Sequence, residues 1–532
     1  MQVMNKIEIF DSTLRDGAQA EGISFSVEDK LKIVKSLDKL GVAYIEAGNP
    51  GSNPKDLEFF EKVKSLDLKN SKLTAFGSTR RRDIDVSEDD NVKSLLGANT
   101  PVVAIFGKCW DFHVTDIIKT SLEENLEMIK DTLRFFKEKG KEVIFDAEHF
   151  FDGYKSNPEY AMAALLAAVE GGADRLVLCE TNGGAFPNEV YEITKKVVSS
   201  FDVPVGIHPH NDGGMAVANA VMAVEAGAFH VQGTLIGFGE RCGNVNLSTV
   251  IGNLQLKKNL NCIAEENLRN LTKTARKIAE IANITLSDGM PYVGKSAFAH
   301  KGGMHIDGVA KATHSFEHMN PELVGNERRF LMSEVAGRST ILSKIQKVNS
   351  DITKDSPETK DIIDRLKALE HIGYQFEGAE SSFELIIRKQ LGKYRPFFEL
   401  ENFKIIGEHP SGEGRVSSSA MIKVKVDNEV EITAAEGDGP VNALDKALRK
   451  ALEIFYPELK NVHLTDYKVR VLDTKTATAA KVRVLIESTD GEDIWTTVGV
   501  STDIIEASWV ALVDSIEYKL IKDIEKKFKA YL

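Results

Sequence analysis

The chain has 532 residues, of which 42% are hydrophobic and 28% charged, so it has enough apolar residues to form a complete core. Its formal net charge of −13 argues against a nucleic-acid-binding protein, which would normally present a basic face. The four cysteines are widely spaced and include no CxxC pair. This argues against a zinc knuckle or a disulfide framework and suits reduced thiols in a cytoplasmic protein. We find no signal peptide, and no apolar run approaches the roughly 20 residues of a membrane span.

The first half of the chain alternates short apolar runs with amphipathic stretches. The runs typical of strands are "KIEIF", "VAYIEAG", "KLTAFG", "PVVAIFG", "EVIFDAEH", "RLVLCET", "PVGIHPH" and "HVQGTLIG". The first amphipathic stretch has Ser26 to cap its start and Gly41 to cap its end. Strands alternating with helices predict parallel βαβ units, and eight such units close a TIM (β/α)8 barrel, here over residues 1–285. A doubly wound open sheet is the alternative, but "DSTLRDGAQ" after the first strand lacks its Gly-rich phosphate loop.

The strand–helix alternation stops after the barrel. Residues 286–396 begin with a segment rich in Gly and His and continue as helical, charged sequence, which predicts a helical accessory region. Residues 397–532 contain the order strand, strand, helix twice. This internal repeat predicts a separate C-terminal α+β domain with pseudo-twofold symmetry. "GDGP" at 437–440 lacks the lysine and spacing of a phosphate loop and is predicted to be a tight turn before a helix.

Polar residues collect where the predicted barrel strands end, which is where TIM-barrel active sites lie. They are Arg15 and Asp16 after the first strand, Glu148 and His149 after the fifth, Glu180, Thr181 and Asn182 after the sixth, His208, His210, Asn211 and Asp212 after the seventh, and Glu240, Arg241 and Asn244 after the eighth. Their repeated occurrence at these ends predicts an active site at the barrel mouth.

The two histidines of "HPH" suggest a metal site. On a strand, His208 and His210 point to the same side, and Pro209 between them stiffens the strand end. Two imidazoles and one carboxylate form the ligand set of many divalent-metal enzymes. Asp16, at the end of what we take to be a neighbouring strand, is the expected carboxylate, and Asn244 could supply a further oxygen. The alternative is a chance HxH pair whose imidazoles bond to backbone groups.

Arg15 precedes Asp16 and offers a permanently charged donor beside the expected metal, able to stabilise an oxyanion or bind a carboxylate. Its alternative role is an ion pair with Glu46 or Glu180.

Glu148 is a candidate general base, or else a partner that orients a metal-bound histidine. Thr181 could bind a substrate carboxylate through its hydroxyl, or be a turn residue. Cys179 and Cys242 could be ligands, but they are interpreted as small buried apolar side chains.

Three motifs, "DSTLRDGAQ", "HPHND" and "GERCGNVNL", together resemble the metal-dependent TIM-barrel acyltransferases and lyases. This family includes 2-isopropylmalate, homocitrate and citramalate synthases and hydroxymethylglutaryl-CoA lyase. The segments "GNPGSNPKD", "FDAEHFFDGYKSNPEYA", "SAFAHKGGMHIDG" and "NPELVGNERRF" resemble the citramalate synthase branch in particular. The likeness extends over nearly the whole chain.

The resemblance implies a divalent cation, Mn²⁺, Mg²⁺, Co²⁺ or Zn²⁺, held by Asp16, His208 and His210 with Asn244 close by. Pyruvate would chelate this cation, and acetyl-CoA would be the co-substrate of a Claisen condensation that gives citramalate and CoA.

The resemblance also implies roles for four further residues. Arg15 would stabilise the alkoxide, Glu148 would deprotonate the acetyl-CoA methyl group, and Thr181 would contact the carboxylate of the keto acid. His305 would polarise the acetyl thioester.

A homodimer is implied as well, with the C-terminal domain binding isoleucine as the feedback effector. The sequence departs from the family pattern at Asn49 and Glu180, where an aromatic residue and Asp are expected, which leaves the keto acid open. The alternatives are therefore a 2-isopropylmalate or homocitrate synthase. A lyase is disfavoured by the regulatory-looking C-terminal repeat, and a non-catalytic sensor by the intact set of polar residues at the strand ends.

Overall fold

The computed structural model of the chain describes residues 6–51, 54–301, 303–331, 338–408, 417–472 and 480–531. The chain divides into two compact units. The first comprises Met1–Ala299 and Glu317–Arg329, and the second comprises His300–Phe316 and Phe330–Leu532. In the described parts of the chain, no helix is both long and apolar enough to cross a bilayer.

Eight parallel strands of the first unit close into a barrel in chain order, and the first strand pairs with the eighth. They are β1 (Glu8–Asp11), β2 (Tyr44–Glu46), β3 (Lys72–Ser78), β4 (Val102–Lys108), β5 (Glu142–Glu148), β6 (Arg175–Glu180), β7 (Val205–Pro209) and β8 (His230–Gly233). The predicted TIM barrel is therefore confirmed. The open-sheet alternative is wrong, because every strand of the barrel has a neighbour on both sides.

Helices alternate with the barrel strands and continue after the last of them. They are α1 (Val27–Leu40), α2 (Pro54–Val63), α3 (Asp90–Gly97), α4 (Leu122–Glu138), α5 (Phe150–Ser156), α6 (Pro158–Glu170), α7 (Pro187–Ser200), α8 (Ala216–Glu225), α9 (Leu247–Lys257), α10 (Glu265–Leu268) and α11 (Leu271–Ile281). The predicted caps of α1 are confirmed. The side chain of Ser26 accepts from the backbone of Asp29 at its start, and Gly41 ends it with φ +92°. A residue with a Cβ would be strained at that angle.

The alternation of side chains along each strand separates two apolar clusters. Outward-facing residues such as Ile9, Ile45 and Phe145 belong to the large core that the helices cover. Inward-facing residues such as Phe10, Tyr44 and Ile144 form a smaller cluster that fills the barrel. Polar side chains beyond this inner cluster, toward the carboxyl ends of the strands, therefore lie above an apolar layer.

The second half of the chain adds helices and strands. They are β9 (Ala299–His300), α12 (Gly303–Lys311), β10 (Arg329–Phe330), α13 (Arg338–Val348), α14 (Pro357–His371), α15 (Glu380–Gln390), β11 (Glu399–Glu408), β12 (Ser417–Val426), β13 (Glu429–Gly437), α16 (Pro440–Leu452), β14 (His463–Val471), β15 (Val482–Thr489), β16 (Ile494–Ser501) and α17 (Ile504–Tyr531). The expected accessory helices are present. The domain boundaries at 285 and 396 stay predictions.

The C-terminal repeat is confirmed, but each copy has three strands before its helix instead of the two expected. The added strands are β11 and β14, each paired antiparallel at one edge of its sheet. β14 is mostly exposed along its length, so its sequence lacks the apolar alternation that marks a half-buried strand. Both copies contribute to one apolar core, and the segment 437–440 turns into α16 as predicted.

Candidate metal centre at the barrel mouth

Asp16, His208 and His210 come together as predicted. Each offers one ligand atom, these atoms lie within 4.8 Å of one another, and all three residues are buried. Oδ2 of Asp16 is 3.4 Å from Nε2 of His208 and 3.9 Å from Nε2 of His210. Nδ1 of His210 is buried and has no hydrogen-bond partner among the described residues. Two imidazole nitrogens and a carboxylate oxygen converging on one point suit a divalent cation better than a chance HxH pair.

The expectation that Asp16 follows a strand next to β7 is wrong, because β8 lies between β1 and β7 in the closed barrel. Asp16 reaches the histidines from the loop after β1, where its backbone N–H donates to Oγ of Ser12 at 3.2 Å. Asn244 connects Asp16 with His208. Its Nδ2 donates to Oδ1 of Asp16 at 3.0 Å, and its Oδ1 is 2.9 Å from Nε2 of His208.

The charges at this point favour metal binding. Burial works against ionisation of Asp16, but Arg15 and His208 hold the pKa of its carboxyl well below the ordinary value of 3.8. Burial and the neighbouring His208 lower the pKa of His210 to about 4, so its ring is neutral at pH 7. Burial also disfavours a charged His208, yet Asp16 raises the pKa of that ring. A carboxylate and a neutral imidazole are the forms that bind metal.

Arg15 is held in place from three sides. Its Nη1 donates to Asp16 at 2.9 Å, its Nε donates to Glu46 at 2.7 Å, and its guanidinium carbon lies 3.8 Å from the ring centre of Phe76. Ser12 also donates to the same oxygen of Glu46. The ion pair with Glu46, considered from the sequence as an alternative role, is thus present, and it fixes the guanidinium beside Asp16.

Glu148 ends β5 and forms an ion pair with Lys108 at the end of β4. It lies two residues beyond Asp146 and therefore on the same, inward side of the strand. The alternative role considered for Glu148, orienting a metal-bound histidine, stays a prediction; Nδ1 of His208 faces Gln232 at 2.7 Å.

The other predicted residues near the mouth have structural contacts. Oγ1 of Thr181 accepts a hydrogen bond from the backbone of His149 at 2.9 Å. Oε1 of Glu180 accepts from two backbone N–H groups of the following loop, and burial raises the pKa of this carboxyl to about 7. Cys179 is buried as expected, but Cys242 is exposed, so the interpretation of Cys242 as a buried apolar side chain is wrong. It lies in the turn after β8, where its side chain has no core to enter.

His305 lies in the second unit, on α12. Its side chain is exposed, and its ring stacks on Phe316 with the centroids 4.3 Å apart. A role for His305 at the barrel mouth stays a prediction.

Two polar residues of this centre were missed from the sequence: Asp146 and Gln232. Each is buried inside the barrel, and each is a polar residue within an otherwise apolar strand run. A polar residue that interrupts an apolar strand run was the available signal for these positions. A polar side chain on the inner face of a barrel strand needs a polar partner there.

Comparison with known proteins connects this centre to a family. Residues 6–282 match the HMGL-like family, residues 292–373 match the homocitrate synthase post-HMGL domain-like family, and residues 377–520 match the LeuA allosteric (dimerisation) domain. The chain is 55% identical to an (R)-citramalate synthase of Aquifex aeolicus, over 98% of this chain and 99% of that protein. It is 51% identical to the (R)-citramalate synthase of Geobacter sulfurreducens, with the same coverage.

More distant relatives carry a different name. A probable 2-isopropylmalate synthase of Methanopyrus kandleri is 32% identical, over 96% of this chain and 98% of that protein. The first of the three family matches spans more than half of the chain and contains the whole barrel with Asp16, His208 and His210. The resemblance seen in the sequence motifs is confirmed: the chain belongs to the HMGL-like family.

Proposed function

We propose that this protein is a citramalate synthase that joins acetyl-CoA and pyruvate. The reaction consumes one water and releases citramalate, CoA and a proton. The observation that carries this proposal is the buried cluster of Asp16, His208 and His210 beside Arg15, in a barrel of the same family as relatives named (R)-citramalate synthase. Those relatives align over nearly the full chain, so both the barrel and the C-terminal repeat support the same activity.

Asp16, His208 and His210 would hold a divalent cation (Mn²⁺, Mg²⁺, Co²⁺ or Zn²⁺), with Asn244 beside it. The donor set fits such an ion, because the carboxylate is ionised, His210 is neutral and all three donors are buried. When bound, the cation supplies Lewis acidity that polarises the ketone of pyruvate.

Arg15 stabilises the negative charge that develops on the keto oxygen. Its guanidinium is fixed by Asp16, Glu46 and Phe76, so little reorganisation is needed when the charge appears. Thr181 contacts the carboxylate of pyruvate. Its hydroxyl oxygen accepts a hydrogen bond from the backbone of His149, and its hydroxyl hydrogen can therefore be donated to the substrate.

Glu148 removes a proton from the methyl group of acetyl-CoA, and the resulting carbanion attacks the keto carbon. The ion pair with Lys108 limits where this carboxylate can point. Water then cleaves the thioester of the product, which makes the condensation irreversible. His305, an exposed donor on α12, polarises the thioester carbonyl.

The second candidate is a synthase that uses a different 2-oxo acid, such as a 2-isopropylmalate or homocitrate synthase. It is favoured only by relatives near 32% identity, whereas the relatives at 51–55% carry the citramalate name.

The experiment measures CoA release from acetyl-CoA with pyruvate, 2-oxoisovalerate or 2-oxoglutarate, each with and without Mn²⁺ or Mg²⁺. We expect release with pyruvate that depends on the metal. A higher kcat/KM with either other acid would overturn the substrate assignment, and full activity after chelation would overturn the metal assignment. His210→Ala should abolish turnover.

We further propose a homodimer that acts in the cytoplasm, with isoleucine as a feedback effector bound by residues 397–532. The match to a LeuA allosteric (dimerisation) domain supports association. So does the outer face of the sheet β11–β13, where Ile406, Met421 and Ile432 are exposed. Free thiols, as at Cys242, suit a reducing compartment. Light scattering should give twice the chain mass, and removal of residues 397–532 should abolish inhibition by added isoleucine.

A further inference from the structure

A chain of two hydrogen bonds runs from the metal centre into the barrel interior. Nδ1 of His208 lies 2.7 Å from Oε1 of Gln232 on β8. Nε2 of Gln232 donates to Oδ1 of Asp146 on β5 at 2.9 Å. All three side chains are at least 95% buried, so no bulk water competes for these bonds.

The partners of Gln232 fix which way its amide points. Oδ1 of Asp146 accepts the hydrogen bond from the NH₂ group of Gln232. The amide carbonyl therefore faces His208 and can only accept, so Nδ1 of His208 must carry the hydrogen. Nε2 of His208 then points toward Asp16, 3.4 Å away, and toward Oδ1 of Asn244, 2.9 Å away, and is the nitrogen that would bind a cation.

We infer that Asp146 and Gln232 are positioning residues of the metal centre. Asp146 orients the amide of Gln232, and Gln232 holds the ring of His208 with Nε2 available as a ligand. This inference rests on the proposed function, because it needs a cation at Asp16, His208 and His210. Partners of this kind change metal affinity by about 10- to 100-fold in other metalloproteins.

A purely structural role for Gln232 makes a different prediction. Loss of two buried hydrogen bonds would then lower the stability of the chain and leave its metal affinity unchanged. Asn219 is a matched control, because it is another fully buried amide of the barrel unit, and its Nδ2 donates to the backbone oxygen of Ala185 at 3.0 Å.

The test is Mn²⁺ binding to the full-length chain, followed through the electron paramagnetic resonance signal of free Mn²⁺, with metal-free thermal unfolding of every variant. We expect Gln232→Met to weaken Mn²⁺ binding 10- to 100-fold. Asp146→Leu should weaken it at least 5-fold, and Asp146→Asn, which keeps an acceptor oxygen, should stay within about 3-fold of the parent. Asn219→Leu should lower the melting temperature with no change in Mn²⁺ affinity.

Gln232→Met or Asp146→Leu binding Mn²⁺ within 3-fold of the parent would overturn the inference, with the proposed function intact. Should Gln232→Met fail to fold, Asp146→Leu alone decides by the same criterion. A parent chain that does not bind Mn²⁺, or binds it as tightly after His210→Ala, would refute the metal centre itself and this inference with it.

Discussion

Glu517, on α17, is a buried carboxyl group that should make the second unit less stable as the pH rises. Its Oε1 accepts a hydrogen bond from the backbone of Phe397 at 3.0 Å, its Oε2 is buried, and the hydroxyl of Tyr394 interacts with the carboxyl. Burial raises its pKa from 4.5 to about 7, with Asp514 adding to the shift and Lys389 opposing it. Glu517→Gln keeps the acceptor for Phe397 and removes the titrating group.

The sign follows from proton binding. Because the pKa is higher in the folded chain than in the unfolded one, the folded chain holds the proton more tightly. The stability that the folded chain gains from binding this proton is fully present below pH 4.5 and is lost as the pH rises through 7. Between pH 5 and pH 8 this single group removes about 2 to 3 kcal/mol from the free energy of unfolding. The advantage of Glu517→Gln over the parent should grow by that amount over the same interval.

Urea unfolding followed by tryptophan fluorescence can measure this difference. Of the three tryptophans, Trp495 and Trp509 lie in the second unit and Trp110 in the first, so a Trp110→Phe background restricts the signal to the second unit. Glu506→Gln is the control, since Glu506 is exposed on the same helix. A variant-minus-parent difference that is equal at pH 5 and pH 8 would refute the argument.

Three further predictions concern the centre and the C-terminal fold. Arg15→Lys keeps the charge but loses the fixed donor geometry, so kcat should fall about 10²- to 10³-fold in steady-state assays of CoA release. An unchanged kcat would exclude Arg15 as the oxyanion donor. Glu148→Gln should lower kcat about 10²- to 10⁴-fold with little change in Mn²⁺ affinity; retained turnover would mean that another base acts. Gly499→Ala would place a Cβ against the backbone oxygen of Ala507 and should cost about 1 to 3 kcal/mol in urea unfolding, whereas Gly407→Ala, with open space around it, should cost less.

The barrel and its ligands could be predicted because the signals are local. Eight apolar runs of strand length gave the fold, and the two-residue period of a strand put His208 and His210 on one side. Asp16 was also identified, but its position relative to β7 was not. The predicted eight-stranded barrel already implies that β8 lies between β7 and β1, so the error was in applying that topology to Asp16.

The inner polar residues were missed for a different reason. Asp146 and Gln232 are 86 positions apart in the chain and meet only because their strands face each other across the barrel interior. Pattern analysis assigns each to a strand but cannot pair side chains that only the closed barrel brings together. The added strands β11 and β14 were missed because an exposed edge strand buries too little to show an apolar period.

The hydrogen bond between Asp16 and Asn244 joins residues 228 positions apart, one on each side of the seam between the first and last barrel strands. During synthesis, a ribosome therefore releases Asp16 long before the partner that completes its surroundings exists. A nascent or truncated chain that lacks β8 cannot assemble these surroundings of Asp16, so tight binding of the proposed metal ion would report that the barrel has closed. The binding energy of that ion would then stabilise contacts across the seam between the first and last strands.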